Sequence, residues 1–259
     1  MTTTYTSYKL ISSDLQTSLS RVAEQPDVKR ETEYYLSRIG SIKTIDAFFA
    51  DSRLYNYAMK AHGLDDMAYA KAFMRKVLTE GVDSEDAFAN KLTDNRYKEL
   101  AESLNFARHG ELATTFERAQ KGVVEKYARQ TLEVSAGEDN TGVRLALYFE
   151  RMASSITSGY SIIADDALSQ VVRTALQLPD EFAATDIDRQ AAYYEKALTL
   201  ADFQDPAKVG KFLERFTSIW ELENPTGSYD PLTAFQPSSL TGISTDLLIS
   251  INNLKLGGR

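Results

Sequence analysis

The sequence predicts an all-α protein made of two tandem copies of one helical unit that are joined by a long helix. Two observations predict this fold class. Apolar residues recur at intervals of three and four along almost the whole chain, whereas the alternating pattern typical of strands is scarce. In addition, the segment 34–64 aligns without a gap with the segment 148–178.

The aligned positions that agree are chiefly apolar or small residues. A second similarity joins 93–106 to 204–220, because each has an Asp at a helix start followed by an amphipathic helix rich in aromatic residues. We interpret this pattern as an internal duplication. The identical pairs are Tyr34/Tyr148, Ser41/Ser155, Ile42/Ile156, Ala50/Ala164, Asp51/Asp165, Leu54/Leu168, Ala61/Ala175 and Leu64/Leu178.

Helix and linker signals divide the chain into five predicted segments. The boundaries follow the ends of the two repeats and the positions of Pro and Gly. The segments are an N-terminal segment with an amphipathic helix (1–25), the first helical repeat (26–110), a connecting helix and turn (111–140), the second helical repeat (141–224), and a Pro/Gly linker with a C-terminal amphipathic helix (225–259).

The N-terminal segment begins with eight uncharged residues that are rich in Thr and Ser and could stay disordered. An amphipathic helix from Leu10 to Val22 follows them. We favour packing of this helix on the helical body, and the alternative is that it binds a partner or pairs with the other end of the chain.

In the first repeat, the apolar stripe from Met67 to Leu78 predicts a helix that Asp65 or Asp66 opens and that Gly81 closes. The pair Thr93-Asp94 is expected to cap the next helix.

The connecting segment has its apolar residues on one face of a predicted helix from about Glu111 to Val134, and the sequence GEDNTG is expected to form a turn after it. The apolar residues of this face are Leu112, Phe116, Ala119, Val123 and Tyr127.

The C-terminal segment begins with a stretch that contains Pro225, Pro231 and Pro237, which predicts a linker without a helix. An amphipathic helix is expected after it, at roughly Ser239 to Leu256. As for the first helix, we favour packing on the body over a role in binding a partner.

Composition excludes several classes of partner and site. The 29 Lys and Arg residues are spread among 37 Asp and Glu residues, which give a net charge of -8, so nucleic acid and anionic membranes are unfavourable partners. No apolar run approaches the ~18 residues that span a bilayer, and the start of the chain has no Sec signal pattern. The absence of Cys excludes disulfides and thiolate metal sites.

Asp51 and His62 invite a catalytic interpretation, but the duplication favours an architectural one. Asp51 and its equivalent, Asp165, each stand where a helix begins, so both are expected to cap a helix and not to form a catalytic carboxylate pair. His62 aligns with Leu176, and we interpret it as a residue in the last turn of a helix, where a partial positive charge suits the dipole. We predict no catalytic, cofactor-binding or metal-binding residue.

The remaining motifs do not change that prediction. His109 is the second of only two histidines, and the chain contains no HExxH motif. The acidic loops 81–88 and 136–142 lack the ligand spacing of a calcium loop, and SSITSGYS (154–161) is not a nucleophile elbow. Trp220 and the Tyr residues are expected in the core and at interfaces and not in a ligand cage.

The two copies resemble a bacterial family of unknown function whose members hold this unit in tandem, through YYLSRIGSIKTIDAFFADSRLYNYAMKAHGL and LYFERMASSITSGYSIIADDALSQVVRTAL. The resemblance extends to TSYKLISSDLQTSL at the start and STDLLISINNLKLGG at the end. Some relatives are encoded among flagellar genes of alpha-class proteobacteria, and some carry flagellar-rod-like names. The resemblance therefore implies a link with flagellar assembly or motility, and it implies no catalytic residue. The chain lacks the stretches that mark rod and hook proteins, which counts against a literal rod subunit.

Three functional hypotheses follow. The preferred one is a non-enzymatic structural or interaction protein, cytoplasmic or flagellum-associated, with a protein partner such as a flagellar component and no cofactor. The alternative is an enzyme or small-ligand-binding module with a pocket between the two copies, which a deep cleft lined by Asp, Glu, Tyr or Arg from both copies would favour. A third possibility is an adaptor unconnected with motility. The sequence leaves the oligomeric state open.

Overall fold

The computed structural model describes residues 2–225, and this range is helical without a β-strand. The predicted all-α class is confirmed for that part of the chain. Residues Thr2–Asn224 form one compact unit. The predicted C-terminal helix at Ser239 to Leu256, and all of the predicted linker except Pro225, lie outside the described residues.

Fourteen α-helices run through the described residues, with short 3-10 helices between several of them. The first nine are α1 (Thr4–Ser12), α2 (Leu15–Ala23), α3 (Pro26–Ile39), α4 (Ile45–Ala50), α5 (Ser52–Ala61), α6 (Lys71–Glu80), α7 (Asn95–Leu104), α8 (Phe106–His109) and α9 (Lys121–Asp139). The other five are α10 (Thr141–Met152), α11 (Gly159–Ile163), α12 (Asp166–Leu176), α13 (Ile187–Ala197) and α14 (Pro206–Glu223).

Helices α2 to α9 bury one hydrophobic cluster, which we call the first core. At its centre, α9 packs against α5 and α2 packs against α9. The ring of Tyr57 is stacked between two others, with its centroid 4.5 Å from that of Tyr35 and 3.9 Å from that of Tyr127. The Tyr35 hydroxyl donates a hydrogen bond to the carbonyl of Ala119 at 2.7 Å, so this buried polar atom is satisfied.

Helices α10 to α14 bury a separate cluster, the second core, to which α1 contributes Tyr8. Helix α14 packs against α10 and α12. Trp220 of α14 lies so close to Gly142 of α10 that an added Cβ at residue 142 would collide with the indole ring. Gly is therefore required for this close approach of two helices.

The N-terminal helix joins the second core through the buried Thr4, which corrects the expectation of a disordered start. The Thr4 amide donates to Glu221 at 2.9 Å, and the Asn140 side chain donates to the Thr4 hydroxyl at 2.9 Å. The predicted helix from Leu10 to Val22 is divided into α1 and α2, because Asp14 leaves the helical conformation and caps α2 at the amide of Thr17.

The connecting helix is shorter at its start than predicted. Residues Gly110–Thr115 and Glu117–Ala119 form 3-10 helices, and α9 begins only at Lys121. Phe116 has an extended backbone that interrupts the helical path, and its side chain is exposed. The end also differs from the prediction, because α9 continues to Asp139 and the expected turn is reduced to Asn140, the N-cap of α10.

The other predicted helix boundaries agree in part with the structure. Gly81 closes α6 at a φ of 66°, where a side chain would be strained, and Asp94 caps α7. The predicted start at Asp65 or Asp66 is wrong for α6, since these two residues open a short 3-10 helix and α6 begins at Lys71.

Candidate functional site

A cleft with a volume of about 1200 Å³ lies between the two cores. Residues of α5, α7 and α9 line one side, and residues of α10 and α12 line the other. A smaller pocket of about 240 Å³ shares Arg96, Tyr148 and Asp165 with it. We call the larger one the inter-core cleft. A cleft between the two copies is what the hypothesis of a ligand-binding module predicts.

The floor of the inter-core cleft holds a buried carboxylate between two guanidinium groups. Glu133, which is 1% exposed, accepts hydrogen bonds from Arg129 Nε at 2.9 Å and from Arg151 Nε at 2.8 Å. Arg129 also donates to the carbonyl of Leu147 at 2.8 Å. Burial would lower the pKa of Arg151, but the hydrogen bond to Glu133 and the negative charge of Glu133 together raise it. This triad joins α9 to α10, and Glu150 Oε2, 4.0 Å from Arg129 Nη2, supplies a second carboxylate to the two guanidinium groups.

The first-core wall of the cleft contains two further ion pairs. Lys126 Nζ lies 2.5 Å from Glu99 Oε2, and Arg96 Nη2 lies 2.7 Å from Asp94 Oδ2. Arg96 also donates to the carbonyl of Gly63. Burial would lower the pKa of Arg96, yet the hydrogen bond to Asp94 raises it. Both cations of this wall are thus neutralised by carboxylates of the same chain.

His62 lies in the cleft wall as a buried, neutral bridge between two helices. Its Nδ1 is 2.8 Å from the carbonyl of Ala58, to which it donates, and its Nε2 is 2.9 Å from the Ser103 hydroxyl, from which it accepts. Burial lowers the pKa of His62 to about 4. The expectation of a partly charged His that favours the helix dipole is therefore wrong, because the ring is desolvated and uncharged at neutral pH.

Asp51 and Asp165 cap their helices, as the sequence predicts. Asp51 accepts from the amide of Leu54 at 3.1 Å, and Asp165 accepts from the amide of Leu168 at 3.0 Å. Only Asp165 lines the inter-core cleft. The structure does not bring the two carboxylates together into a site.

Each capping Asp also accepts a hydrogen bond from a Tyr hydroxyl. Tyr34 donates to Asp51 at 2.9 Å, and Tyr148 donates to Asp165. Burial and the charge of Asp165 raise the pKa of Tyr148, so its hydroxyl keeps its proton at neutral pH. This pair holds the cap in place and offers no activated nucleophile.

The rim of the cleft carries carboxylates without an ion pair or hydrogen bond in the described part of the chain. They are Asp65, Asp66, Glu125 and Asp166, and all four are exposed. Arg144 is the one rim cation that likewise has no such partner among the described residues. The paired floor and the unpaired rim give the cleft a surplus of negative charge.

Sequence reasoning missed the Arg129–Glu133–Arg151 triad. One signal was present, since Arg129 and Glu133 stand four residues apart on a predicted helix, a spacing that brings side chains together. Residues 2–225 contain no group of three His, Cys, Asp or Glu residues that could hold a metal ion. His109 lies away from the cleft, with its ring centroid 4.6 Å from that of Phe116. None of the described helices is both long and apolar enough to cross a membrane.

Comparison with known proteins gives two matches. A family model described as a protein of unknown function, DUF1217, matches residues 61–209, which is more than half of the chain. The crystal structure of a structural-genomics target protein from Agrobacterium tumefaciens is similar, with 64% sequence identity and a TM-score of 0.80. That match covers 86% of this chain and 94% of the other. A search of curated proteins gives no match.

Proposed function

Because the chain belongs to the DUF1217 family of proteins of unknown function, we propose a role from its structure: a non-enzymatic interaction protein that binds a protein partner in the inter-core cleft. The preferred hypothesis from the sequence left the binding surface open, and the inter-core cleft is the surface that we propose for it.

One observation carries this proposal. The ionisable groups at the centre of the cleft are hydrogen-bonded to one another, with Glu133 between Arg129 and Arg151 and with Lys126 against Glu99. A catalytic acid or base needs a pKa and a free hydrogen-bonding position that suit proton transfer. Groups that are already paired with each other are better suited to holding a rigid binding surface.

We place this role in flagellar assembly or motility, in the cytoplasm or at the flagellum. The support is the sequence resemblance to relatives encoded among flagellar genes of alpha-class proteobacteria. The similar protein of known structure also comes from an alpha-proteobacterium. The class of partner that we expect is a flagellar protein.

Deletion of the gene in its own host tests this role. We expect reduced swimming in soft agar and fewer or shorter filaments by electron microscopy, both restored by a plasmid copy of the gene. Normal motility with normal filaments in the deletion strain would contradict the flagellar role. Partners recovered without any flagellar component would favour the general adaptor.

We also propose that the chain arose by internal duplication. Supporting observations are the corresponding helix pairs α4–α5 and α11–α12, and the two Tyr–Asp caps described above. The helix that corresponds to α14 by packing is not the helix that corresponds to it by sequence. Helix α9 packs against α5 as α14 packs against α12, whereas the sequence similarity paired the region of α7 with α14.

The second candidate is a small-ligand-binding module or enzyme, and the cleft itself is the observation that favours it. Asp and Arg side chains from both cores line the inter-core cleft, with Glu side chains from the helices of the first core and Tyr148 from the second. Its volume of about 1200 Å³ nevertheless exceeds the roughly 300–1,000 Å³ of typical small-molecule pockets. A thermal-shift screen of metabolites discriminates between a protein-binding and a small-ligand-binding function. A saturable rise in Tm with one small molecule would favour the ligand-binding module or enzyme.

A further inference from the structure

The inter-core cleft combines a charged rim with an apolar inner surface. Its rim carries the four carboxylates described above, against one cation, Arg144, that has no ion pair or hydrogen bond within the described part of the chain. Between the charged groups, the half-buried Leu19 and the buried Ala61, Leu145 and Met152 line the cleft with apolar atoms from both cores. A ligand that fills the cleft therefore meets apolar contacts inside and negative charge at the edge.

The size of the cleft indicates the class of ligand. A volume of about 1200 Å³ is larger than a typical small-molecule pocket and suits a stretch of polypeptide. A helix that lays its apolar face into a groove is a common mode of peptide recognition, and charge complementarity at the rim selects the partner. The surplus of rim carboxylates favours Lys and Arg around that apolar face and repels phosphate groups and acidic peptides.

From this complementarity we infer that the inter-core cleft binds an amphipathic segment rich in Lys and Arg from the protein partner. The inference rests on the proposed function, because it names the chemistry of the partner. It goes further in assigning the recognition of positive charge to Asp65, Asp66, Glu125 and Asp166. The internally paired residues of the floor shape the cleft and do not need to exchange partners when the segment binds.

A charge-reversal experiment with a matched control tests the inference. The cleft variant is Asp65→Lys/Asp66→Lys, and the control is Asp180→Lys/Glu181→Lys. Both pairs are exposed neighbours in the first turn of a 3-10 helix, but only the first pair lines the cleft. The net charge changes equally in the two variants. A second comparison uses Glu125→Lys of the cleft against Glu102→Lys outside it, so that a folding defect in one variant leaves the test intact.

The probe is a fluorescently labelled helical peptide of leucine and lysine, with a peptide of leucine and glutamate as its control. We expect the cleft variants to bind the lysine peptide about tenfold more weakly than the matched controls. The reason is that attraction between rim carboxylates and Lys residues of the peptide is replaced by repulsion. Binding to the unchanged protein should also weaken as salt is raised. Equal losses in the cleft and control variants would overturn the inference, as would displacement of the peptide by spermine at a lower concentration than by unlabelled peptide.

Complementation of the deletion strain separates this inference from the proposed function. We expect the control variants to restore swimming and the cleft variants to fail at equal protein levels. Full restoration by the cleft variants would overturn the inference while leaving the flagellar role intact. A deletion strain that swims normally would overturn the flagellar role, and the peptide measurements would still decide the chemistry of the cleft.

Discussion

The two Tyr–Asp caps have the same internal geometry and different surroundings. In the first core, Tyr34 donates to Asp51, and Arg38 and Arg53 lie against the pair, with Arg53 stacked 4.0 Å from the Tyr34 ring centroid. In the second core, Tyr148 donates to Asp165 and Arg151 lies 4.9 Å from the Tyr148 ring centroid, but this pair faces the inter-core cleft.

This difference separates architecture from function. The shared part, a hydroxyl that supports a capping carboxylate, satisfies the first amides of a helix and is needed wherever that helix is built. The unshared part, the cleft around the second pair, depends on how the two cores meet. A search for function in this family should therefore begin with residues that differ between the cores.

The largest expected effect comes from breaking the triad that joins the two cores. Glu133→Gln removes the carboxylate that is hydrogen-bonded to Arg129, which is 9% exposed, and leaves Arg129 with only the more distant Glu150, at 4.0 Å, as a counter-charge among the described residues. We expect the free energy of unfolding to fall by about 3–5 kcal/mol, measured by chemical denaturation. Glu102→Gln is the control, because Glu102 is exposed and has no ion pair within residues 2–225. A loss below about 1 kcal/mol in Glu133→Gln would show that the triad does not hold the cores together.

Acid should lower the stability of the first core through His62. The second core has no equivalent titrating residue, since His62 aligns with Leu176. Because burial holds the pKa of His62 at about 4, against about 6.5 in an unfolded chain, the unfolded state binds the proton first as pH falls. The stability that comes from burying His62 in its neutral form is therefore fully present above pH ~6.5 and is lost as pH falls toward ~4. The free energy of unfolding should change by about 3 kcal/mol over this range.

The measurement is the free energy of unfolding at a series of pH values for the unchanged protein and for His62→Gln. The unchanged protein should lose more stability between pH ~6.5 and pH ~4 than this variant does. His109→Gln serves as the control, because His109 is partly exposed and outside the cleft. Identical slopes for the unchanged protein and His62→Gln would contradict the buried, neutral state.

A smaller effect is expected where the second core needs Gly and the first does not. A Cβ at Gly159 would lie 2.7 Å from the Cα of Ala191 in α13, whereas the equivalent residue of the first core is Ile45. Gly159→Ala should therefore cost about 1–3 kcal/mol of stability, because two helices must move apart. Gly122→Ala is the control, since its nearest neighbour lies at 3.7 Å. Similar melting temperatures for the two variants would indicate that α11 and α13 separate easily.

The smallest expected effect tests the likeness of the two caps. Asp51→Ala and Asp165→Ala should each lower the free energy of unfolding by about 0.5–2 kcal/mol. Burial would raise the pKa of Asp51, but the hydrogen bonds from Leu54 and Tyr34 lower it. The stabilising contribution of this carboxylate is therefore present above pH ~4 and is lost as pH falls below that value. Denaturation at pH 7 measures both variants. A cost in one variant only would mean that the two caps are not equivalent.

Local signals in the sequence predicted the helical class and several helix ends, because an Asp cap or a Gly stop acts within a few residues. Asp51, Asp94, Asp165 and Gly81 illustrate this. The start of α9 was not predictable in that way, since the apolar spacing continues through Phe116 while the backbone there is extended.

The cleft lay beyond local reasoning for a different reason. Its floor depends on the approach of α10 to α9, which sets Arg151 against Glu133. Periodicity identifies which face of a helix is buried, but it does not identify the helix that covers that face. Polar residues on such a face are therefore easily assigned to solvent.

The position of α1 has a consequence for how the protein is made. Its residue Thr4 is hydrogen-bonded to Glu221, so α1 contacts α14 across a sequence separation of 217 residues, and α14 is synthesised much later than α1. Domains generally fold from the N-terminus during synthesis, and contacts between distant residues form slowly. The first core can close while translation continues, and α1 can already pack against α10. The hydrogen bond from Thr4 to Glu221 forms only after α14 has been made, so the second core is completed last.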